Sequence, residues 1–212
     1  MRMRRKKHRE ERLDACSDIL ITEFLQYKND IKAVFEEDKP LRIEVGCGKG
    51  RFITETAKNN PDVNFIAIEK NLDVLVLAVE KVKEAGITNV KFVPGDANVL
   101  SEFDTISKCE IVYINFCDPW PKNGYRKRRL THENYLSLWE KLLVKGGSVH
   151  FKTDNKALFE FSLNSFSDYG MRLKNITLDL HSSSFEGNVM TEYEELFSSK
   201  GNPIYRCEAS YI

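Results

Sequence analysis

The sequence predicts an α/β protein built on a seven-stranded, mostly parallel sheet with helices on both faces. Three observations carry this reading. Short apolar runs alternate with helix-length segments along the chain, the pattern of parallel strands joined by crossover helices. The run 110–116 is almost continuously apolar, as a central strand buried on both faces should be. After five such strand–helix units the chain closes on a pair of strand-like runs, 172–180 and 204–210.

The elements follow in order. Residues 13–37 read as helical and precede the repeating part. Leu41–Val45 is the first strand and ends in a glycine cluster. A helix over 52–59 is stopped by Asn60-Pro61. Asn64–Glu69 is the second strand. In the next helix Leu72, Leu75, Val76 and Val79 fall on one face at helical spacing. Residues 90–93 form the third strand, closed by Pro94-Gly95, and 110–116 the fourth. A polar loop over 117–130 follows. The next helix spans 131–144, with Tyr135, Leu138, Trp139 and Leu142 as its inner stripe and Gly146-Gly147 as its stop. Residues 148–153 are the fifth strand and 155–169 a helix. The final strand pair is separated by a loop and a short helix within 181–200.

With 212 residues, 42% hydrophobic and 30% charged, the chain suits one soluble domain over 1–212. No apolar run approaches the roughly 20 residues that span a bilayer. The basic N-terminus lacks the apolar segment of a secretory signal. Cys16, Cys47, Cys109, Cys117 and Cys207 are odd in number and form no CxxC pair. They read as reduced thiols of a cytoplasmic protein, with no metal site.

Net charge is zero, yet two islands are strongly basic. Residues 1–12 carry seven Lys/Arg against two Glu, and 122–129 carry five Lys/Arg and no acid. Such islands on an otherwise acidic chain point to a local polyanion contact. A frayed, disordered tail is the rival reading for 1–12.

In open α/β sheets ligands bind beyond the carboxyl ends of the strands, and the polar residues of interest fall there. Glu44-Val45-Gly46-Cys47-Gly48-Lys49-Gly50 ends the first strand. A dinucleotide-binding GxGxxG loop would need glycine at 51, where Arg51 stands. A carboxylate ahead of the turn repels a pyrophosphate but suits the ammonium and sulfonium of S-adenosylmethionine. Glu69 ends the second strand, where a carboxylate accepts ribose hydroxyls in NAD enzymes as well. Asp96 ends the third, placed for an adenine amine or for capping a helix. Glu44, Gly46, Gly48, Glu69 and Asp96 thus read as cofactor-binding. Five strand–helix units followed by a strand pair match the methyltransferase variant of the Rossmann fold better than a plain six-stranded Rossmann sheet.

The fourth strand runs into Asn115-Phe116-Cys117-Asp118-Pro119-Trp120-Pro121-Lys122, similar to the Asn/Asp-Pro-Pro-aromatic loop of methyltransferases that modify nucleobase nitrogens. Gly124, Tyr125, Arg126, Lys127, Arg128 and Arg129 follow at once, offering the cations and aromatic ring of an RNA backbone contact.

These motifs, with FIAIE at 65–69, GDA at 95–97, HFKTD at 150–154 and GNVMTEYEELF at 187–197, resemble the bacterial tRNA (guanine-N7)-methyltransferase family, TrmB, over nearly the whole chain. The resemblance implies methyl transfer from S-adenosylmethionine to N7 of a guanine in the tRNA variable loop, at tRNA position 46. It implies that Glu44, Glu69, Asp96 and Asp118 contact the cofactor, and that Asp118 is catalytic. Lys122, Asp154, Thr191, Glu192, Tyr193 and Glu194 would bind substrate, and 124–129 would touch RNA. The expected partner is tRNA, with no membrane, and the enzyme a monomer or homodimer.

Guanine N7 carries a lone pair and no proton, so the chemistry needs positioning rather than a general base. Asp118 would stabilise the charge that develops. Asp154, Glu192 and Glu194 would accept from the guanine Watson–Crick edge. Helix capping is the bland alternative for Asp154 and for Thr191-x-x-Glu194. His150 and His181 read as structural, with no partner named. An NAD-dependent dehydrogenase, a non-enzymatic RNA-binding module and a small-molecule methyltransferase are the rivals. Arg51 and the 118–121 loop disfavour the first, the strand-end acids the second, and the basic run at 122–129 the third.

Overall fold

The structure, a computed structural model, describes residues 5–102 and 108–211. The first four residues of the basic N-terminus lie outside the described residues. Internal contacts divide the chain into two compact units, residues 1–107 and 108–212.

The first unit holds three parallel strands, β1 (Leu41–Val45), β2 (Asn64–Glu69) and β3 (Val90–Pro94), in the order β3-β2-β1. Val45 pairs with Ile68, and Glu69 with Pro94, so the strand ends that carry the predicted acids lie side by side. Every residue of β2 is buried, which its two-faced apolar content requires. Helices α2 (Arg51–Asn59) and α3 (Leu72–Glu84) connect the strands. The Asn71 side chain accepts from Asp73 N at 3.0 Å and starts α3. Leu75, Val76 and Val79 are buried as the spacing predicts, joined by Ala78 and Val82, while Leu72 is only half-buried.

The helix expected over 13–37 does not form. Helix α1 (Arg9–Asp14) is short, and two 3₁₀ turns, Phe24–Tyr27 and Ile31–Val34, replace the rest. Asp30 accepts from Lys32 N at 2.9 Å, one of the local side-chain bonds that compete with helix. Between the turns and α1, Ile19 and Ile21 hydrogen-bond across Phe92 of β3, so the segment caps the sheet edge. Two of the basic residues here, Arg9 and Arg12, are used inside the unit. Arg12 forks onto Glu80 at 2.6 Å and Arg9 reaches Asp73 at 3.3 Å, tying α1 to α3.

The second unit orders its strands β4-β5-β7-β6. β4 (Cys109–Asn115) runs parallel to β5 (Leu143–Thr153). β7 (Tyr205–Ser210) pairs antiparallel with β5 and with β6 (Arg172–Thr177). Helix α4 (Glu133–Leu142) is shorter than expected, because His132 caps it and Leu143 already belongs to β5. Its buried stripe is Leu136, Trp139 and Leu142, with Tyr135 and Leu138 half-buried. Gly146-Gly147 does not end the helix but sits in β5, where pairing jumps from Cys109 with Leu143 to Ile111 with Ser148, a bulge. Helices α5 (Lys156–Asp168) and α6 (Glu192–Ser198) complete the unit. β6 ends at Thr177, short of the predicted 180, and Leu178 is exposed. Seven strands with helices between them are the mostly parallel α/β fold the sequence predicts.

Candidate functional site

In the first unit the glycine turn and Glu69 are one structure. The Glu69 carboxylate accepts from Gly48 N at 3.1 Å and from Asn71 N at 2.8 Å. Gly46 N and Cys47 N both donate to Ile68 O. The turn is thereby laid against the end of β2. Gly46 and Gly48 have φ of +81° and +57°, and a Cβ on either would meet no atom within 4 Å. Their need for glycine is conformational, and the space a side chain would enter stays clear for a ligand. Gly50 differs, since a Cβ there would lie 2.7 Å from Ala78 Cα, so Gly50 lets α3 approach the turn.

Glu44 is 1% exposed at the end of β1. Gly95 N donates to Glu69 O at 3.1 Å, so Asp96 follows directly from this corner. Asp96 is exposed and accepts from Asn98 N at 2.8 Å. It thus does the capping that its bland reading assigns it. Both Glu69 oxygens keep acceptor capacity beyond their backbone partners, as a ribose diol requires. Buried and exposed carboxylates around an open glycine turn fit the charge pattern of S-adenosylmethionine.

The second unit carries the residues expected to meet RNA. β4 ends in Asn115, and Phe116 takes a left-handed φ of 54° while its N–H donates to Lys152 O. Asp118 is exposed on the loop that follows. Trp120 is also left-handed, with φ 42°. Burial, then the neighbouring Asp118, push the Cys117 thiol up to about 12, so it is no thiolate nucleophile at neutral pH. Residues 123–128, expected as loop, form a 3₁₀ helix whose side chains are all exposed, as is Lys122 before it. Arg128 lies over the rings of Trp120 and Tyr125, 4.9 and 4.8 Å from their centroids. Arg129 is half-buried instead.

Asp154 and Tyr193 come together, the Tyr193 hydroxyl donating to Asp154 Oδ2 at 3.5 Å. Desolvation and then Asp154 raise the Tyr193 phenol above its usual value. The Tyr193 ring packs on Phe116 at 5.1 Å and stacks on Phe197 at 4.1 Å. Asp154 does not cap α5; Asn155 does, accepting from Leu158 N at 2.8 Å. Thr191 does cap α6, accepting from Glu194 N at 2.9 Å. Only half of the capping box forms, because the Glu194 carboxylate turns inward. It is fully buried, paired with Lys152 at 2.7 Å, Asn188 at 2.7 Å and His181 at 3.2 Å. Glu192 is half-buried at the first position of α6.

The geometry supplies what the sequence reading lacks. His181, which has no partner in the sequence pattern, faces Glu194, and His150 bonds Ser148 at 3.1 Å while edging onto the Tyr113 ring. Lys152 carries a signal of its own. A lysine inside an otherwise apolar strand must find a carboxylate, and Glu194 is that group.

A family model described as "Putative methyltransferase" matches residues 38–207. The chain is 50% identical over 211 residues to the tRNA (guanine-N(7)-)-methyltransferase of Bacillus subtilis (strain 168), covering 100% of this chain and 99% of the relative. With the enzyme of the same name from Bacillus licheniformis (strain ATCC 14580) it shares 52% identity, again over 100% of this chain and 99% of the relative. Among solved structures, the precorrin-6y C5,15-methyltransferase of Geobacter metallireducens GS-15 superposes with a TM-score of 0.56 at 14% identity, covering 95% of this chain and 89% of that one. At that identity the likeness is one of fold.

Proposed function

The chain belongs to the bacterial tRNA (guanine-N7)-methyltransferase family, and from that premise we propose how its residues divide the work. The enzyme transfers the methyl group of S-adenosylmethionine to N7 of a guanine in tRNA. We infer that this guanine lies in the variable loop. The chain works as a single methyltransferase domain in the cytoplasm, as a monomer or homodimer. No helix among the described residues is long and apolar enough to cross a membrane.

S-adenosylmethionine supplies an electrophilic methyl group. Glu44, Gly46, Gly48, Glu69 and Asp96 hold it: Glu69 for the ribose hydroxyls, Asp96 for the adenine amine, and Glu44 for the cationic end. The observation that carries this assignment is the Glu69 carboxylate bound to both Gly48 N and Asn71 N, which fixes an acceptor at the edge of the open glycine turn. Asp118 is the catalytic residue and also contacts the cofactor. N7 needs no deprotonation, so Asp118 acts by aligning the base and stabilising positive charge as it develops on the ring.

Lys122, Asp154, Thr191, Glu192 and Tyr193 meet the substrate. Asp154, oriented by Tyr193, accepts from guanine N1–H or its amino group. Exposed Tyr125, Arg126 and Lys127 with Gly124 take the RNA backbone. Thermal denaturation with each cofactor tests the cofactor half of this reading. S-adenosylmethionine raises Tm by mass action and NAD does not; stabilisation by NAD alone overturns it.

A further inference from the structure

Four consecutive cations, Arg126 to Arg129, look interchangeable in sequence, yet Arg129 is placed unlike the others. Its Nε donates to Pro119 O and its Nη2 to Trp120 O, both at 3.0 Å. Its guanidinium lies over the Phe161 ring, 4.3 Å from the centroid, and His132 stacks on that same ring. Its backbone closes the 3₁₀ helix, with Arg129 N donating to Arg126 O and Arg129 O accepting from His132 N. The carbonyls it holds belong to the two residues after Asp118, and Trp120 is held at a φ of 42°. A bulky aromatic adopts that backbone only where its surroundings fix it.

We propose that Arg129 is a positioning residue for Asp118 and not a phosphate contact. It clamps the Asp118–Trp120 turn by forking onto two successive carbonyls, with Phe161 as the floor under the fork. Arginine suits this task because one planar edge presents two donors in fixed geometry, which a lysine ammonium cannot do. The ring beneath favours the weakly hydrated guanidinium. The basic run then divides by role: Arg126 and Lys127 offer charge to RNA, Arg128 lays its guanidinium on Trp120 and Tyr125, and Arg129 fixes the catalytic loop. This rests on the assignment of Asp118 above.

The test uses the full chain with S-adenosylmethionine and tRNA, comparing Arg129→Lys, Arg129→Gln and Arg126→Ala. Arg129→Lys keeps the charge and loses the fork. Both Arg129 variants lower kcat by about tenfold or more, while KM for tRNA and the salt slope of tRNA binding hold. Arg126→Ala raises KM and flattens the log–log slope by very roughly 0.7–0.9. Acrylamide quenching gives a readout independent of activity: Trp139 is fully buried, so quenching reports Trp120, and it rises in both Arg129 variants. Wild-type kcat and quenching in Arg129→Lys, with a flattened slope in Arg129→Gln, overturn the clamp. Should either variant fail to fold, Phe161→Leu removes the aromatic floor while leaving Arg129 in place, and must raise Trp120 quenching for the clamp to stand. A wild-type enzyme inactive on tRNA would defeat the functional reading, while the quenching series still decides the clamp.

Discussion

The Lys152 ammonium and the Glu194 carboxylate meet at 2.7 Å inside the second unit, with side chains 6% and 0% exposed. Lys152 also donates to Val189 O at 2.8 Å and Asn188 Oδ1 at 3.1 Å. A charged residue of β5 thus anchors the segment that leads into α6, and Thr191 to Tyr193 are presented from that anchor.

Glu194→Gln therefore acts through stability. It leaves the Lys152 charge buried without this carboxylate, a change that costs about 3–5 kcal/mol. A clear drop in Tm is expected, with activity lost in proportion to unfolding and partial recovery in the Lys152→Met, Glu194→Gln double variant. An unchanged Tm with lost activity would restore the guanine-edge role expected from sequence.

Asp118→Asn keeps shape and removes charge on an exposed loop. Single-turnover methyl transfer should slow at least about tenfold, equivalent to about 1.4 kcal/mol of transition-state stabilisation. Tm and tRNA affinity, measured on the same preparation, should move far less. Rates near wild type remove Asp118 from catalysis.

The glycines of the turn separate by mutation. Gly50→Ala places a Cβ 2.7 Å from Ala78 Cα at a φ of +85°, so it lowers Tm substantially. Gly48→Ala meets no neighbour; its strain is about 1–3 kcal/mol, and its main effect is weaker S-adenosylmethionine binding. Calorimetric titration beside melting curves distinguishes the two, and equal losses of stability would refute the packing role of Gly50.

Arg9 and Arg12 direct their charge onto Asp73 and Glu80. Their replacement by Ala should lower Tm and leave the salt slope of tRNA binding unchanged. A flatter slope would return this segment to RNA binding.

Strand positions are legible where burial forces an apolar pattern, alternating in Leu41–Val45 and continuous over Phe65–Ile68 of Asn64–Glu69, and the observed bounds of both strands match the expected ones. The glycine turn is legible because Arg51 breaks the dinucleotide pattern. The helix expected over 13–37 fails because Ile19 to Ile21 is drawn out into a strand-like bridge along Phe92, which local periodicity does not reveal. The bond from Arg129 to the Trp120 carbonyl and the pairing of Glu194 with Lys152 reach across 9 and 42 residues of sequence. No local pattern encodes such pairings.

The most direct measurement is transfer of labelled methyl from S-adenosylmethionine to unmodified bulk tRNA, followed by nucleoside digestion and chromatography. Label is expected in 7-methylguanosine, and with a single tRNA transcript as substrate it is lost when the variable-loop guanine is replaced by adenine. Label in any other nucleoside, or no transfer to tRNA by folded, cofactor-stabilised enzyme, would contradict the assignment.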